Sequence, residues 1–269
     1  NLTTTTAGNK TAGGNLTISG TVLINTGTFV GSSYTINVAG SWTNNLASGF
    51  TANTSTVNFN GSSAQTLGGS QSTTFYGLSI SNSAGITLQK ATTVTNTLTL
   101  SLGKLNTDAT NLLTMNSGSS VSPNGGSASS FVDGPMAKVG NTAFVFPTGN
   151  GTNWARIAIG APTASETFTA QYFHSGYSNT TISPTTPNPL DHVSGIEYWT
   201  LNRAGTANAT IQLYSENASS SEIASCSDLR IAHWNGTGWE NNNDAVTTSF
   251  GSCPTTLTTE SGSIVTNSA

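Results

Sequence analysis

The stretch STVNFNGSSAQTLGGSQSTTFYGLSISNSAGITL (Ser55–Leu88) carries one short motif twice, VNF at Val57–Phe59 and LSI at Leu78–Ile80. Each reads apolar, polar, apolar. On an extended chain residues of one parity share a face, so each triplet is an inward–outward–inward rung. Outward from this stretch, LTI (Leu16–Ile18) and INV (Ile36–Val38) precede it and LTL (Leu98–Leu100) follows, at steps of 20, 21, 21 and 20 residues. A fixed period of this size is the mark of a solenoid. Leu16, Ile18, Ile36, Val38, Val57, Phe59, Leu78, Ile80, Leu98 and Leu100 then form a core ladder, buried by stacking where no single coil could bury it. The outward Thr is β-branched and prefers the extended chain. Gly and Asn at the corners tolerate positive φ. Five or six coils about 4.8 Å apart make a rod roughly 25–30 Å long. An antiparallel sandwich or meander is the competing arrangement, but it has no reason to keep a regular step.

The chain changes character near residue 130. Before it the charged residues are Lys10, Lys90, Lys104 and Asp108; the other fourteen follow, with both cysteines, all three His and four of the five Trp. Asn116–Ser130 (NSGSSVSPNGGSASS) reads as a Gly/Ser/Pro-rich hinge. This places a solenoid domain at 1–130 and a second domain at 131–269. In the second, short apolar stretches at Ala143–Phe146, Arg156–Ile159, Thr167–Phe173, Ile196–Asn202, Thr210–Tyr214, Leu229–Trp234 and Gly238–Glu240, with a tail from Ala245, are separated by turn residues. Short strands with regular turn signals predict a β-sandwich. HWNGTGWE (His233–Glu240) reads as a tight hairpin around Asn235–Gly236, and Pro184–Pro189 as an extended surface loop. The expected fold is all-β: a short parallel β-solenoid with coils of about 20 residues, followed by an antiparallel β-sandwich.

Composition narrows function. Charged residues are 7% of the 269 and hydrophobic ones 35%, while Ser, Thr, Asn and Gly fill just over half of the chain. A helical bundle would be rich in Ala, Glu, Lys, Leu and Arg. Seven Lys plus Arg cannot build the basic stripe that phosphate contacts need, so no nucleic-acid partner is expected. No apolar run is long enough for a membrane span, and no secretory leader is present in this stretch. Few charges in a Thr/Ser/Asn/Gly background suit an exported, extracellular or cell-surface β protein. Cys226 and Cys253 are most simply one disulfide in such a protein, worth roughly 3–4 kcal/mol in the chain-entropy model; two unlinked buried thiols are the alternative.

The run Ser55–Leu88 resembles the T-V-x-F-x-G…Q-x-I…F-Y-N-L-x-I-x-N repeat of secreted and surface-exposed Bacteroidota proteins, and LTLSLGKLNTDATNLLTM (Leu98–Met115) resembles the coil that usually ends it. GPMAKVGNTAFVFPTGNG (Gly134–Gly151), FTAQYF (Phe168–Phe173), DHVSGIEYWTLNR (Asp191–Arg203) and LRIAHWNGTGW (Leu229–Trp239) look like the module that follows those coils. Gly77 stands where that family often has Asn, and the cysteine pair is not one of its hallmarks. The family has no single activity. The resemblance implies adhesin-like cargo of type IX secretion, here a mature fragment whose export signals were removed or lie outside this stretch.

Chemistry is sparse. Glycosidases need two carboxylates at a set separation, and the first 130 residues offer Asp108 alone. Asp191, His192 and Glu197 are close enough in sequence to suggest a metal, but a loop-to-strand junction flanked by His192 and Glu197 accounts for them better, and the other His residues are remote in sequence. No Asp-rich loop suits calcium, and Asn241–Asp244 reads as an exposed turn. Asp228, Glu240 and Asp244 would pair only if the fold gathers them. No nucleophile elbow occurs. No catalytic residue, metal ligand or cofactor is therefore expected. Tyr198, Trp199, Trp234 and Trp239 are the candidates for a sugar-stacking platform, with Trp234 and Trp239 the expected glycan contacts and Trp199 the expected core residue. Trp42, Phe50, Phe59, Phe75 and Tyr76 are expected in the coil core or its stacked ladders. The resulting expectation is a non-catalytic extracellular structural or adhesive protein. NLTTTTAGNKTAGG at the N-terminus shows no capping signal, and an open solenoid end exposes unpaired strand edges. The expected partners are therefore a second copy, end to end in a fibre, a longer rod of the same chain, or other surface proteins. The alternative is a carbohydrate-binding accessory region of a secreted enzyme, with glycans as partners.

Overall fold

The computed structural model describes residues 1–184, 190–214 and 231–241, and the backbone of 256–259. The described residues contain strands and no helix. The chain divides into two compact units, Asn1–Lys138 and Val139–Ala269.

The first unit is a parallel β-solenoid of about seven turns with a spacing of about 21 residues. Each turn visits three faces. The first carries Leu2–Thr4, Val22–Ile24, Trp42–Asn44, Gln65–Gly68, Ile86–Leu88, Leu105–Asn106 and Val132–Asp133. The second carries Lys10–Thr11, Phe29–Val30 and Phe50–Thr51, then the leading halves of the long strands Thr73–Ser81 and Thr92–Leu102, then Leu113–Met115 and Met136–Lys138. The third carries the five motifs that define the period. Leu16 pairs with Ile36, Ile36 with Val57, Val57 with Leu78 and Leu78 with Leu98, while Ile18, Val38, Phe59, Ile80 and Leu100 stack in a second column. Leu16 is partly exposed in the first coil; the other nine are buried. Apolar burial at about 25 cal/mol per Å² is the force that holds such a column.

The Asn116–Ser130 segment is not a hinge. Ser120–Ser122 lies in parallel register with Thr97–Thr99 and adds Val121 to the Leu98 column. The parallel ladder also runs past residue 130, through Val132–Asp133 against Leu105–Asn106 and Met136–Lys138 against Leu113–Met115. Composition misled here because a solenoid corner and a linker draw on the same Gly, Ser and Pro. The N-terminal stretch is itself part of the first coil, where the Asn1 side chain accepts the Thr21 backbone N–H at 2.8 Å.

Polar residues hold the coils in register. Gln65 is buried where Trp42 pairs with Leu67 rather than with Gln65, so the fourth coil overhangs the third by a residue pair. Its amide donates to the Val38 and Gly40 carbonyls and accepts from Gly61 N–H and the Asn82 amide. Asn82 also donates to Ser63 O at 2.7 Å. A buried amide with its partners met costs little, and one without them costs much. Outside, Asn45 donates to Asn25 at 2.9 Å and Asn58 to Asn37 at 2.9 Å, linking neighbouring coils. Gly103, at φ +83°, is required by close approach, since a Cβ there would overlap the Asn82 carbonyl oxygen.

The second unit is built from antiparallel sheets, as expected of a sandwich. Phe144–Phe146, Ile157–Ile159, Ile211–Tyr214 and Thr256–Thr259 form one sheet. Glu166–Phe173 pairs with Tyr198–Arg203, and Ala232–Trp234 with Trp239–Asn241. Along Glu166–Phe173 burial alternates: Phe168, Ala170 and Tyr172 face inward and Phe173 outward.

Candidate functional site

That alternation builds the site. Tyr172 is opposite Trp199 and Phe173 opposite Tyr198, so the two pairs face opposite sides of one ladder. Tyr172 and Trp199 belong to the interior side. Tyr172 is 1% exposed, and the Trp199 indole donates to Ala155 O at 3.3 Å. Trp199 is thus a packing residue and leaves the platform. Phe173 and Tyr198 stack on the other side, with centroids 4.6 Å apart and planes at 7°.

The hairpin around Asn235–Gly236 forms as expected. The Asn235 side-chain oxygen accepts the backbone N–H groups of Thr237 and Gly238, each at 2.9 Å, and Gly236 adopts φ +98°. This turn places Trp234 directly across from Trp239, with ring centroids 5.7 Å apart. Tyr177 joins the two regions, 5.2 Å from Tyr198, 5.5 Å from Trp234 and 5.3 Å from Trp239. Phe173, Tyr177, Tyr198, Trp234 and Trp239 are all half-buried. Trp239 is anchored at its back, donating from its indole to Asn179 O at 2.7 Å and from its backbone to Thr181 O at 2.8 Å. Burial, with the neighbouring Tyr177, pushes the Tyr198 phenol above its ordinary value.

Tyr177 and Phe173 escaped the sequence reading. Tyr177 sits in HSGYS with no alternating neighbours, so no periodicity marks it. Phe173 was readable from parity alone, as the outward neighbour of an inward Tyr.

The remaining candidates disperse. Glu197 accepts the Tyr172 hydroxyl at 2.9 Å, and His174 Nδ1 lies 3.1 Å from the same oxygen. Burial first, then the Glu197 charge, raises the Tyr172 phenol strongly. Asp191 and His192 contact each other at 3.1 Å on an exposed loop, away from this pair of bonds. Asp108 is consumed by its own turn, accepting from the Asn111 amide and from the Asn111 and Thr110 backbones, which holds its carboxyl below the usual range. Glu240 accepts from the Asn235 amide, opposite His233, whose imidazole is held below its ordinary value by burial. Among the described residues no three His, Cys, Asp or Glu gather as a metal site. No helix among them is long and apolar enough to cross a membrane. Cys226, Cys253, Asp228 and Asp244 lie outside the described residues.

In the first unit Trp42, Phe50, Phe59 and Phe75 are buried as expected, with Phe29 beside them. Tyr76, on the outward parity of its strand, is half-buried. No family model, curated protein or solved structure matches the chain.

Proposed function

We propose that the protein is a non-catalytic structural or adhesive component of the bacterial cell surface, in which the solenoid serves as a stiff spacer. The observation that carries this reading is the continuous ladder of the solenoid. Dry apolar columns run from coil to coil, and side-chain amides cross-link the coils in places both inside and outside. Parallel backbone bonds tie coil to coil without a break along the first and third faces, so a load along the axis is shared between them. The scarcity of charge, four charged residues in the first 130, fits a spacer whose surface attracts neither nucleic acid nor an oppositely charged partner. The resemblance to secreted Bacteroidota repeat proteins supports export, with type IX cargo as the implied route.

At its N-terminal coil the ladder presents the strand edges of Leu2–Thr4, Lys10–Thr11 and Leu16–Ile18, which another coil would extend, whether from a second copy or from further chain. Light scattering over a wide concentration range, with negative-stain imaging, tests this. Growth into linear assemblies with concentration supports a fibre subunit. A particle that stays monomeric throughout removes self-assembly. Imaging the native source with a labelled antibody then tests the surface location, and a cytosolic signal would end the structural reading itself.

A further inference from the structure

Five aromatic rings from separate segments of the second unit meet without being buried. That unit does bury aromatic rings elsewhere, at Phe144, Phe146, Phe168 and Tyr172. Trp and Tyr combine a broad apolar face with a polar tip, which suits a surface that must be wet when free and covered when bound. Contiguous exposed apolar surface marks binding sites. We propose that Tyr177, Tyr198, Trp234 and Trp239, inclined to one another at 51–88°, form a contoured aromatic surface for an uncharged polysaccharide, with its sugar rings packing against it. This does not depend on the structural reading above.

Spacing, charge and rim select the occupant. The centroids around Tyr177 are 5.2–5.5 Å away, which is ring-to-ring contact. A cage for a quaternary ammonium needs the cation to sit over a ring face within its enclosure, and rings already touching leave no room between them. The ligand therefore lies across the cluster. The described segments that supply the rings, 173–183, 193–199 and 231–241, contain no Lys or Arg, so no permanent cation there pairs with an anion. Their carboxylates are engaged locally, Glu197 by the Tyr172 hydroxyl and Glu240 by the Asn235 amide. The stretch Asn179–Thr181 that backs Trp239 supplies an amide and hydroxyls at the edge, neutral groups that match sugar hydroxyls. An aliphatic protein partner would be met by exposed aliphatic side chains, but the strongly exposed large one among the described residues is Leu102, in the other unit.

The test uses the whole chain against an array of neutral and acidic oligosaccharides, particles of cellulose, chitin and xylan, phosphocholine, and a trimethyl-lysine peptide. Because Trp239 also anchors Asn179, the decisive variants are at Trp234. Trp234→Leu keeps apolar bulk without a flat ring, and Trp234→Phe keeps a ring. Tyr198→Leu is the second site, and Trp154→Ala, outside the cluster, is the control. Binding to a neutral glycan is expected to weaken at least tenfold in Trp234→Leu and Tyr198→Leu. Trp234→Phe should recover most of it, and Trp154→Ala should leave it unchanged. Melting curves matching wild type for Trp234→Leu and Trp234→Phe tie the loss to the ring. No binding to any neutral glycan, binding indifferent to Trp234→Leu, or preference for phosphocholine, the peptide or acidic glycans would overturn the proposal.

Discussion

The solenoid and the second unit each gather five aromatic rings, with opposite results. Phe29, Trp42, Phe50, Phe59 and Phe75 interlock at 4.8–6.5 Å inside the coils, with Trp42 at 0% exposure. Phe173, Tyr177, Tyr198, Trp234 and Trp239 keep similar distances but remain half-buried. The first group contains four Phe and one Trp; the second has one Phe, two Tyr and two Trp. The coil above and the coil below cover any inward ring of a solenoid. A ring on the outer parity of a sheet has no such cover from its own strands. Aromatic clustering alone therefore does not mean core; the layer beyond the ring decides.

The comparison breaks most sharply at the central tryptophan. Trp42→Ala is expected to cost about 3–5 kcal/mol, as a large cavity in a rigid core does, while Trp234→Ala should cost about 1–2 kcal/mol. Urea unfolding monitored by circular dichroism reads both, and equal costs would show that the second cluster is core as well. Next, Gly103→Ala should destabilise the solenoid by about 1–3 kcal/mol, because its φ is left-handed and the Asn82 carbonyl occupies the Cβ position. Gly236→Ala, also at positive φ but with open space around it, tests how much of that cost is backbone crowding.

Buried and exposed amides give a finer contrast. Gln65→Ala takes one of its two acceptors from the Asn82 amide and the side-chain partner from several backbone groups, and should cost about 1–3 kcal/mol. Asn45→Ala, on the outer surface, should stay within about 0.5 kcal/mol. The smallest effect separates the units by pH. Burial pulls Lys138 below its ordinary 10.5, so the unfolded chain binds the extra proton and solenoid stability rises as pH climbs from the lowered value to about 10.5. Tyr172 is raised above its ordinary 10.0, so its contribution is intact below pH 10 and lost as pH rises beyond it. Lys138→Met should flatten the rise and Tyr172→Phe the fall, read as urea midpoints between pH 8 and about 11.

Legibility followed repetition. Five triplets with one step made the third face readable rung by rung, because stacked coils impose the same demand at the same position each time. The first face was harder. Its Trp42–Leu67 pairing skips Gln65, and an insertion in one coil shifts the register without disturbing the triplets. The segment 116–130 misled for a related reason: its Ser-Val-Ser rung holds a single apolar residue. In the second unit, Trp199 was readable as a core residue from the alternating run IEYWTLN, and the antiparallel register puts Tyr198 on the opposite face. Nothing local announced Tyr177, whose place is set by a turn and by rings far along the chain.

By itself the amino-acid sequence determined the period, the faces of the strands and the near absence of charge, because spacing and side-chain type act through neighbours along one chain. Only tertiary structure decided how many coils the ladder runs to, which polar groups meet between coils and which aromatic rings stay wet. Those outcomes depend on what lies in the next layer, and residues distant in sequence supply it.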